Sequence, residues 1–249
     1  MKIDSVVLAG RPNTGKLSSV SNEPLEANIE IAGRPMVSYV LEALCGVPDV
    51  SKVLLVGPKD GLGRYESDRI VVVEPGEDLI ENIRIGLEKA STEYVLVCSS
   101  DIPLITSDIL ADFLEKCISI GVDFVYPVSR KEDCEARYPG VKRTYVKLKD
   151  GTFTGGNVFF VRKAIVDNAW PMVEKMVTYR KSPLKMASFL GFGLLLRIAL
   201  GLSGVQEIEN HVGKLLGITC KALIGASPEM SVDVDKPLDL EICRLVLEK

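Results

Sequence analysis

Runs of apolar, largely β-branched residues with little polar alternation recur through the first half of this chain. Ser5–Ala9, Val53–Val56, Ile70–Val73, Tyr94–Cys98 and Phe124–Tyr126 read as strands. Strands of this kind are buried on both faces, which requires helices above and below a mostly parallel sheet. The intervening segments supply them. Pro35–Leu44 carries Met36, Val37, Val40, Leu41 and Leu44 on one helical face, with Pro35 near the helix start. Asp78–Ala90 places Leu79, Ile80, Ile83 and Leu87 together, and Thr106–Ile120 opens on Thr106, Ser107 and Asp108, all able to cap free N–H groups. The expected fold is α/β, a Rossmann-like three-layer, mostly parallel sheet.

The second half is helical and hairpin-rich. Arg143–Leu148 alternates and ends in Lys149-Asp150-Gly151, a hairpin signal. Asn157–Val161 and Thr219–Ile224 read as strands, at least two helices fill Pro171–Leu216, and Pro237–Leu247 reads as a closing helix. No repeat or low-complexity linker divides the 249 residues. One domain is expected, with a nucleotide-binding half over about 1–126 and an acceptor-binding half over about 127–249.

Composition narrows the function classes. A net charge of -4 gives no electrostatic reason to expect nucleic acid as partner. The six cysteines form no CxxC pair and read as thiols of a reducing compartment rather than a disulfide framework or zinc site. No basic, apolar leader precedes the first strand, so a cytoplasmic setting is expected. The one histidine, His211, lies on an expected helix far in sequence from every motif and reads as structural. Met186–Val205 is apolar apart from Ser188, Arg197 and Ser203. Its central arginine and four glycines argue against a membrane span. A buried or dimer-forming helical pair is expected, the alternative being a surface that meets lipid or a lipid-like acceptor.

Four segments carry the chemistry: Val6-Val7-Leu8-Ala9-Gly10, Ser100-Asp101-Ile102-Pro103, Thr154-Gly155-Gly156-Asn157 and Val232-Asp233-Val234-Asp235. Gly10-Arg11-Pro12-Asn13-Thr14-Gly15-Lys16 matches part of a P-loop, but Leu17 stands where a magnesium-binding Ser or Thr belongs, and no helical face follows. The loop still suits phosphate. Gly10 and Gly15 let main-chain N–H groups approach anionic oxygens, and Arg11 and Lys16 add charge. Asp101 falls at the carboxyl end of an expected central strand, where open α/β sheets bind ligands. Paired with Asp233 or Asp235, which alternation points the same way, it could hold Mg2+. Asp239 belongs to the first turn of the closing helix.

Together with Gly33-Arg34-Pro35-Met36-Val37 and Asp233-Val234-Asp235-Lys236-Pro237-Leu238-Asp239, these segments resemble the MobA-like nucleotidyltransferases, in order and over nearly the whole chain. The resemblance implies a GT-A-like nucleotidyltransferase sheet and transfer of an NMP group from an NTP to a small phosphorylated or hydroxylated acceptor. It implies Mg2+ on Asp101 and Asp233, a base read by main chain at Leu8, Ala9 and Gly10 and around Gly76–Asn82, and Gly156 and Asn157 facing the acceptor. Two departures stand out. Arg11 replaces the second glycine of the family's loop, and the region that carries a family lysine is here Glu23-Pro24-Leu25-Glu26-Ala27-Asn28. The triphosphate would then rest on Arg11, Lys16 and Arg34. The basic pairs Lys142-Arg143 and Arg130-Lys131, and Arg180-Lys181 with Lys185, read as solvated faces, with an acceptor phosphate as the alternative. A glycosyltransferase using nucleotide sugars and a non-catalytic nucleotide binder are the rival functions.

Overall fold

The computed structural model describes residues 1–179 and 182–248. The pair Arg180-Lys181 lies outside the described residues. The chain opens on β1 (Ile3–Leu8), followed by a long loop with 3-10 turns at Lys16–Ser19 and Glu26–Asn28. A short ribbon of β2 (Glu30–Ile31) and β3 (Arg34–Pro35) leads into α1 (Met36–Gly46). Next come β4 (Val50–Val56), the short α2 (Lys59–Leu62), β5 (Ile70–Val73) and α3 (Leu79–Lys89). β6 (Tyr94–Ser99), α4 (Ser107–Ile120) and β7 (Phe124–Arg130) continue the alternation. α5 (Lys131–Arg137), which the sequence did not announce, precedes the hairpin of β8 (Val146–Leu148) and β9 (Gly151–Gly155), and then β10 (Val158–Arg162). Five helices follow: α6 (Ile165–Asn168), α7 (Trp170–Tyr179), α8 (Pro183–Leu190), α9 (Phe192–Ala199) and α10 (Val205–Leu216). β11 (Cys220–Ile224), a 3-10 turn at Pro228–Ser231 and α11 (Pro237–Leu247) complete the fold.

The strand order is β5-β4-β1-β6-β10-β7-β9-β8, with β11 paired to β7. The pairs β5/β4, β4/β1, β1/β6 and β7/β11 are parallel. β10 enters antiparallel between β6 and β7, and the β8–β9 hairpin adds antiparallel strands beyond β7. The expected three-layer, mostly parallel α/β sheet is therefore present, mixed where the second half joins it. One core layer buries α1 and α4 side chains such as Val40, Leu44, Phe113 and Leu114 against β1, β4 and β6. The opposite layer packs Leu87 of α3 and Ile165 of α6 against Val6, Val95 and Val97. A third cluster joins Leu17, Ile29, Ile31 and Met36 to Val232, Val234, Leu240 and Cys243. It fastens the loop after β1 to the segment before α11.

Three expectations need correction. The strand read over Arg143–Leu148 begins only at Val146, because Arg143 is drawn off toward the acidic residues described below. The 232–236 segment joins no ladder of the sheet; Val232 and Val234 are buried while Asp235 is exposed, so the expected alternation holds without a strand. Met186–Val205 is a helical pair split at Gly191, but it is not buried, because the two faces of the sheet are already covered by other helices. No helix of the described residues is long and apolar enough to cross a membrane. The cysteines are free, as expected, with Cys98, Cys117, Cys134 and Cys243 buried. His211 sits on the exposed side of α10.

One buried carboxylate braces the sheet. Asp4 on β1 accepts hydrogen bonds from Ser51 Oγ at 2.6 Å and from Ser91 N and Oγ, both at 2.7 Å. Burial works to raise its pKa, but these bonds outweigh it and hold the carboxyl below the usual value of 3.8. A depressed folded pKa means the stabilisation is present above that value and is lost as pH falls through the folded pKa. Asp4→Asn should lower stability at pH 7 by about 1–3 kcal/mol. In urea denaturation the gap to the wild type should close as pH falls below 3.8; equal stability at pH 7 would overturn this role.

Candidate active site

The site forms where β1 and β6 end. Main-chain atoms crowd there: a Cβ on Gly57 would lie 3.1 Å from both Ala9 C and Gly10 N, and one on Gly10 would lie 3.4 Å from Gly57 Cα. The close approach depends on Gly57, whereas a Cβ at Gly10 would make only ordinary contact. Ala9 N donates to Val56 O at 2.9 Å, which fixes Leu8-Ala9-Gly10 in that position. On the neighbouring strand Ser100 N donates to Leu8 O at 3.3 Å, so Asp101 leaves β6 beside the end of β1. Val234 N then donates to Asp101 O at 2.9 Å. That bond carries the distant 232–236 segment to the same place.

The result is a convergence of carboxylates. Asp101, Asp233 and Asp235 each offer an oxygen, and these oxygens all lie within 4.8 Å of one another. Asp101 Oδ1 is buried with no hydrogen-bond partner. Burial, followed by the charge of Asp233, pushes the Asp101 carboxyl up to about 7. Burial also raises Asp233, opposed by Arg143. A buried, orphaned carboxylate oxygen facing two further carboxylates suits a divalent cation with oxygen ligands. The sequence left Asp233 and Asp235 as alternatives; the geometry brings both to Asp101.

Two arginines balance this charge. Arg143 Nη1 donates to Asp233 Oδ1 at 2.5 Å and Nη2 to the Asp233 carbonyl at 3.2 Å. Its side chain is only 11% exposed, so the expectation of a solvated Lys142-Arg143 face fails for Arg143. Arg11 bridges Glu26 Oε2 at 3.1 Å and Asp235 Oδ1 at 3.0 Å. Its own side chain stays 58% exposed, whereas that of Glu26 is 5% exposed. Lys16 stands exposed in the 3-10 turn after Gly15 and makes no ion pair among the described residues. No α-helix follows this loop, which agrees with its not being a P-loop. Arg34 is engaged elsewhere, donating to Glu42 Oε2 at 2.5 Å over the Tyr39 ring.

The third motif arrives from the second half. A Cβ on Gly155 would overlap the Tyr126 hydroxyl, and one on Gly156 would lie 3.0 Å from Pro127 Cγ and 3.1 Å from Met230 O. Both glycines therefore let the chain pass tightly between β7 and the Pro228–Ser231 turn. Asn157 follows at once. Its N donates to Met230 O at 2.7 Å and its Nδ2 to Asp233 Oδ1 at 3.2 Å. Asn157 is thus part of the carboxylate cluster. Asn82 lies at the start of α3, and its Oδ1 accepts from Gly76 N at 2.7 Å, so its side chain sets the loop before that helix. Asp239 is buried in the first turn of α11, as expected, and accepts from Asp235 N at 3.2 Å.

Sequence reasoning did not find Arg143 or Glu26 as members of this site. Neither sits in a motif, and both are recruited through contacts spanning many residues. The one available signal was compensatory charge, since three converging aspartates need cations nearby.

Two measurements check this geometry. Arg143→Ala leaves Asp233 without its cation and should cost about 3–5 kcal/mol, as removal of one partner from a buried pair does. Millimolar Mg2+ should restore part of that loss; a variant as stable as the wild type would remove Arg143 from the cluster. The second concerns Asp101. Its folded pKa near 7 lies above the ordinary 3.8, so the folded chain holds the proton more tightly than the unfolded one. Stability in chelator should therefore fall as pH rises from 3.8 toward about 7. Asp101→Asn should flatten that slope in urea titrations, and an unchanged slope would contradict the assignment.

Residues 26–185 match the family model described as the MobA-like NTP transferase domain. A 2-C-methyl-D-erythritol 4-phosphate cytidylyltransferase from Clostridium perfringens (strain SM101 / Type A) is 30% identical over 155 residues, covering 60% of this chain and 63% of its own. The Chlamydia pneumoniae protein of the same name is 25% identical over 121 residues, covering 49% and 56%. The chain thus spans less than two thirds of the length of these curated relatives. Among solved structures, one described as a hypothetical transferase from Thermus thermophilus has a TM-score of 0.86 and 35% identity, over 96% of this chain and 100% of its own. The CTP complex of a CMP:2-keto-3-deoxy-manno-octonic acid synthetase has a TM-score of 0.64 at 14% identity, over 100% of this chain and 99% of its own, and shares the fold. The family match covers more than half of the residues and takes in Asp101 and Asn157, and the chain belongs to the MobA-like NTP transferase domain family.

Proposed function

We propose that this chain transfers a nucleoside monophosphate from an NTP to a small phosphorylated or hydroxylated acceptor, releasing pyrophosphate. The observation that carries this reading is the meeting of Asp101, Asp233 and Asp235 beside the glycine-lined end of β1. The acceptor oxygen attacks the α-phosphorus as the bond to the β-phosphate oxygen breaks. A phosphate acceptor is already ionised near neutral pH, so no histidine base is required. Asp101, Asp233 and Asp235 would hold Mg2+, which would supply charge neutralisation for the α-phosphate and the leaving group. The Leu8-Ala9-Gly10 main chain receives the nucleotide at the strand end. Gly15 keeps the following loop open to phosphate, Lys16 supplies a cation free of ion pairs among the described residues, and Arg11 supplies a second from its bridge between Glu26 and Asp235. Asn82 holds the loop at Gly76, a loop that would border the nucleotide. Gly156 admits the chain that brings Asn157 to Asp233, and Gly156 and Asn157 would face the acceptor.

The test begins with thermal unfolding in ATP, GTP, CTP or UTP, with and without Mg2+. A donor at about 100-fold excess over its Kd stabilises the folded state by about 2.7 kcal/mol. One NTP should raise the midpoint in a Mg2+-dependent way. Pyrophosphate release is then followed with phosphorylated acceptors, 2-C-methyl-D-erythritol 4-phosphate first in view of the relatives' names. Asp101→Ala should abolish turnover while preserving the fold. Retained turnover, or no stabilisation by any NTP, would overturn the reading.

A further inference from the structure

The α8–α9 pair takes no part in the chemistry above, yet it carries the most exposed large hydrophobic side chains among the described residues. Leu184 is 77% exposed, Phe192 67%, and Leu196 and Leu200 62% each. Phe192 and Leu196 on α9 and Leu200 at its C-cap recur every four residues and form one stripe. Leu194, on the other side, is buried and anchors the helix, which packs on β8. Water-exposed apolar stripes of this kind mark interaction surfaces. The sequence around them is one-sided in charge. From Lys175 through Gln206 there are five basic residues, Lys175, Arg180, Lys181, Lys185 and Arg197, and no Asp or Glu, in a chain of net charge -4. Arg197 pairs with Glu207 at 3.0 Å; Lys185 lies over the Tyr179 ring, 5.8 Å from its centroid.

We propose that the α8–α9 face docks on an anionic lipid surface, with Phe192, Leu196 and Leu200 entering the headgroup boundary and Lys185 meeting lipid phosphates. Short amphipathic helices with basic margins bind bilayers in this in-plane manner, through apolar burial together with attraction to anionic lipid. Both helices have eight residues, too few to span a bilayer. A second copy of this chain suits the face less well. A two-fold contact would bring the same basic segment against itself, and lysine is depleted from such interface cores. The proposal is independent of the transferase reading.

The test is flotation of the full chain with vesicles of phosphatidylcholine, alone or mixed with phosphatidylglycerol. Binding should be about tenfold tighter to the anionic vesicles and should weaken with added salt. The double substitution Phe192→Ser with Leu196→Ser should abolish flotation without shifting thermal unfolding, because both side chains are already exposed. Lys185→Glu should reduce the preference for anionic lipid. Failure to float, or equal binding to neutral vesicles, would overturn the proposal. So would light scattering showing a wild-type dimer that the double variant turns into a monomer, which would assign the face to self-association.

Discussion

Three carboxylates with oxygens within 4.8 Å repel one another, and the architecture of this chain is largely a means of holding them together. Without a cation each would take up a proton or move away. Arg143 and Arg11 prevent this from two sides, one against Asp233 and the other against Asp235. Asp101 has no arginine ion-pair partner among the described residues, and its carboxyl is the one pushed up to about 7. The charge balance is thus incomplete at one aspartate, the one fixed to the end of a central strand. A divalent cation would complete it, and would compete with the arginines for the other two.

The topology explains how residues so distant in sequence arrive there. The antiparallel β10 fills the space between β6 and β7, so the chain must return to the strand ends just before it. That return is Gly155-Gly156-Asn157, squeezed past Tyr126 and Met230. The Pro228–Ser231 turn is held from the other side, where Ser129 Oγ meets Ser231 Oγ at 2.8 Å and Tyr138 donates to Glu229 at 2.7 Å. From this braced turn Asp233 and Asp235 project toward Asp101, while Val232 and Val234 sink into the cluster around Leu17 and Met36. Loop, strand end and closing helix therefore form one packed unit.

Much of this was legible in the sequence. Non-alternating strands and helical faces gave the layered sheet because burial on two faces leaves a pattern along the chain itself. Thr106 accepts from Ile109 N at the start of α4, and Asp78 caps α3, since capping is a local event. The alternation of Val232 to Asp235 survived even though the segment joins no ladder of the sheet. What could not be read depends on contacts across many residues. Arg143 looked like half of a surface basic pair, and nothing adjacent to it signals a partner 90 residues away. The α8–α9 segment read as a buried or dimer-forming pair because apolar composition was visible, whereas the prior occupation of both sheet faces, which leaves it unburied, was not.

The two departures from the family's loop pattern also take on a joint meaning. Arg11, in place of a glycine, and the acidic stretch containing Glu26, in place of a lysine-bearing one, seemed separately to weaken a phosphate site. In the structure they are the two halves of one ion pair, 3.1 Å apart, with the carboxylate buried and the guanidinium half in solvent. Burial pushes the Glu26 carboxyl up while Arg11 holds it down. Glu26 thereby ties a cation to the loop beside the aspartates, where it also meets Asp235. The position of the positive charge has moved along the chain, but a cation still stands at the mouth of the site. Because a guanidinium has five donors in a planar fork, Arg11 can keep its acidic partners and still present N–H groups to an incoming phosphate.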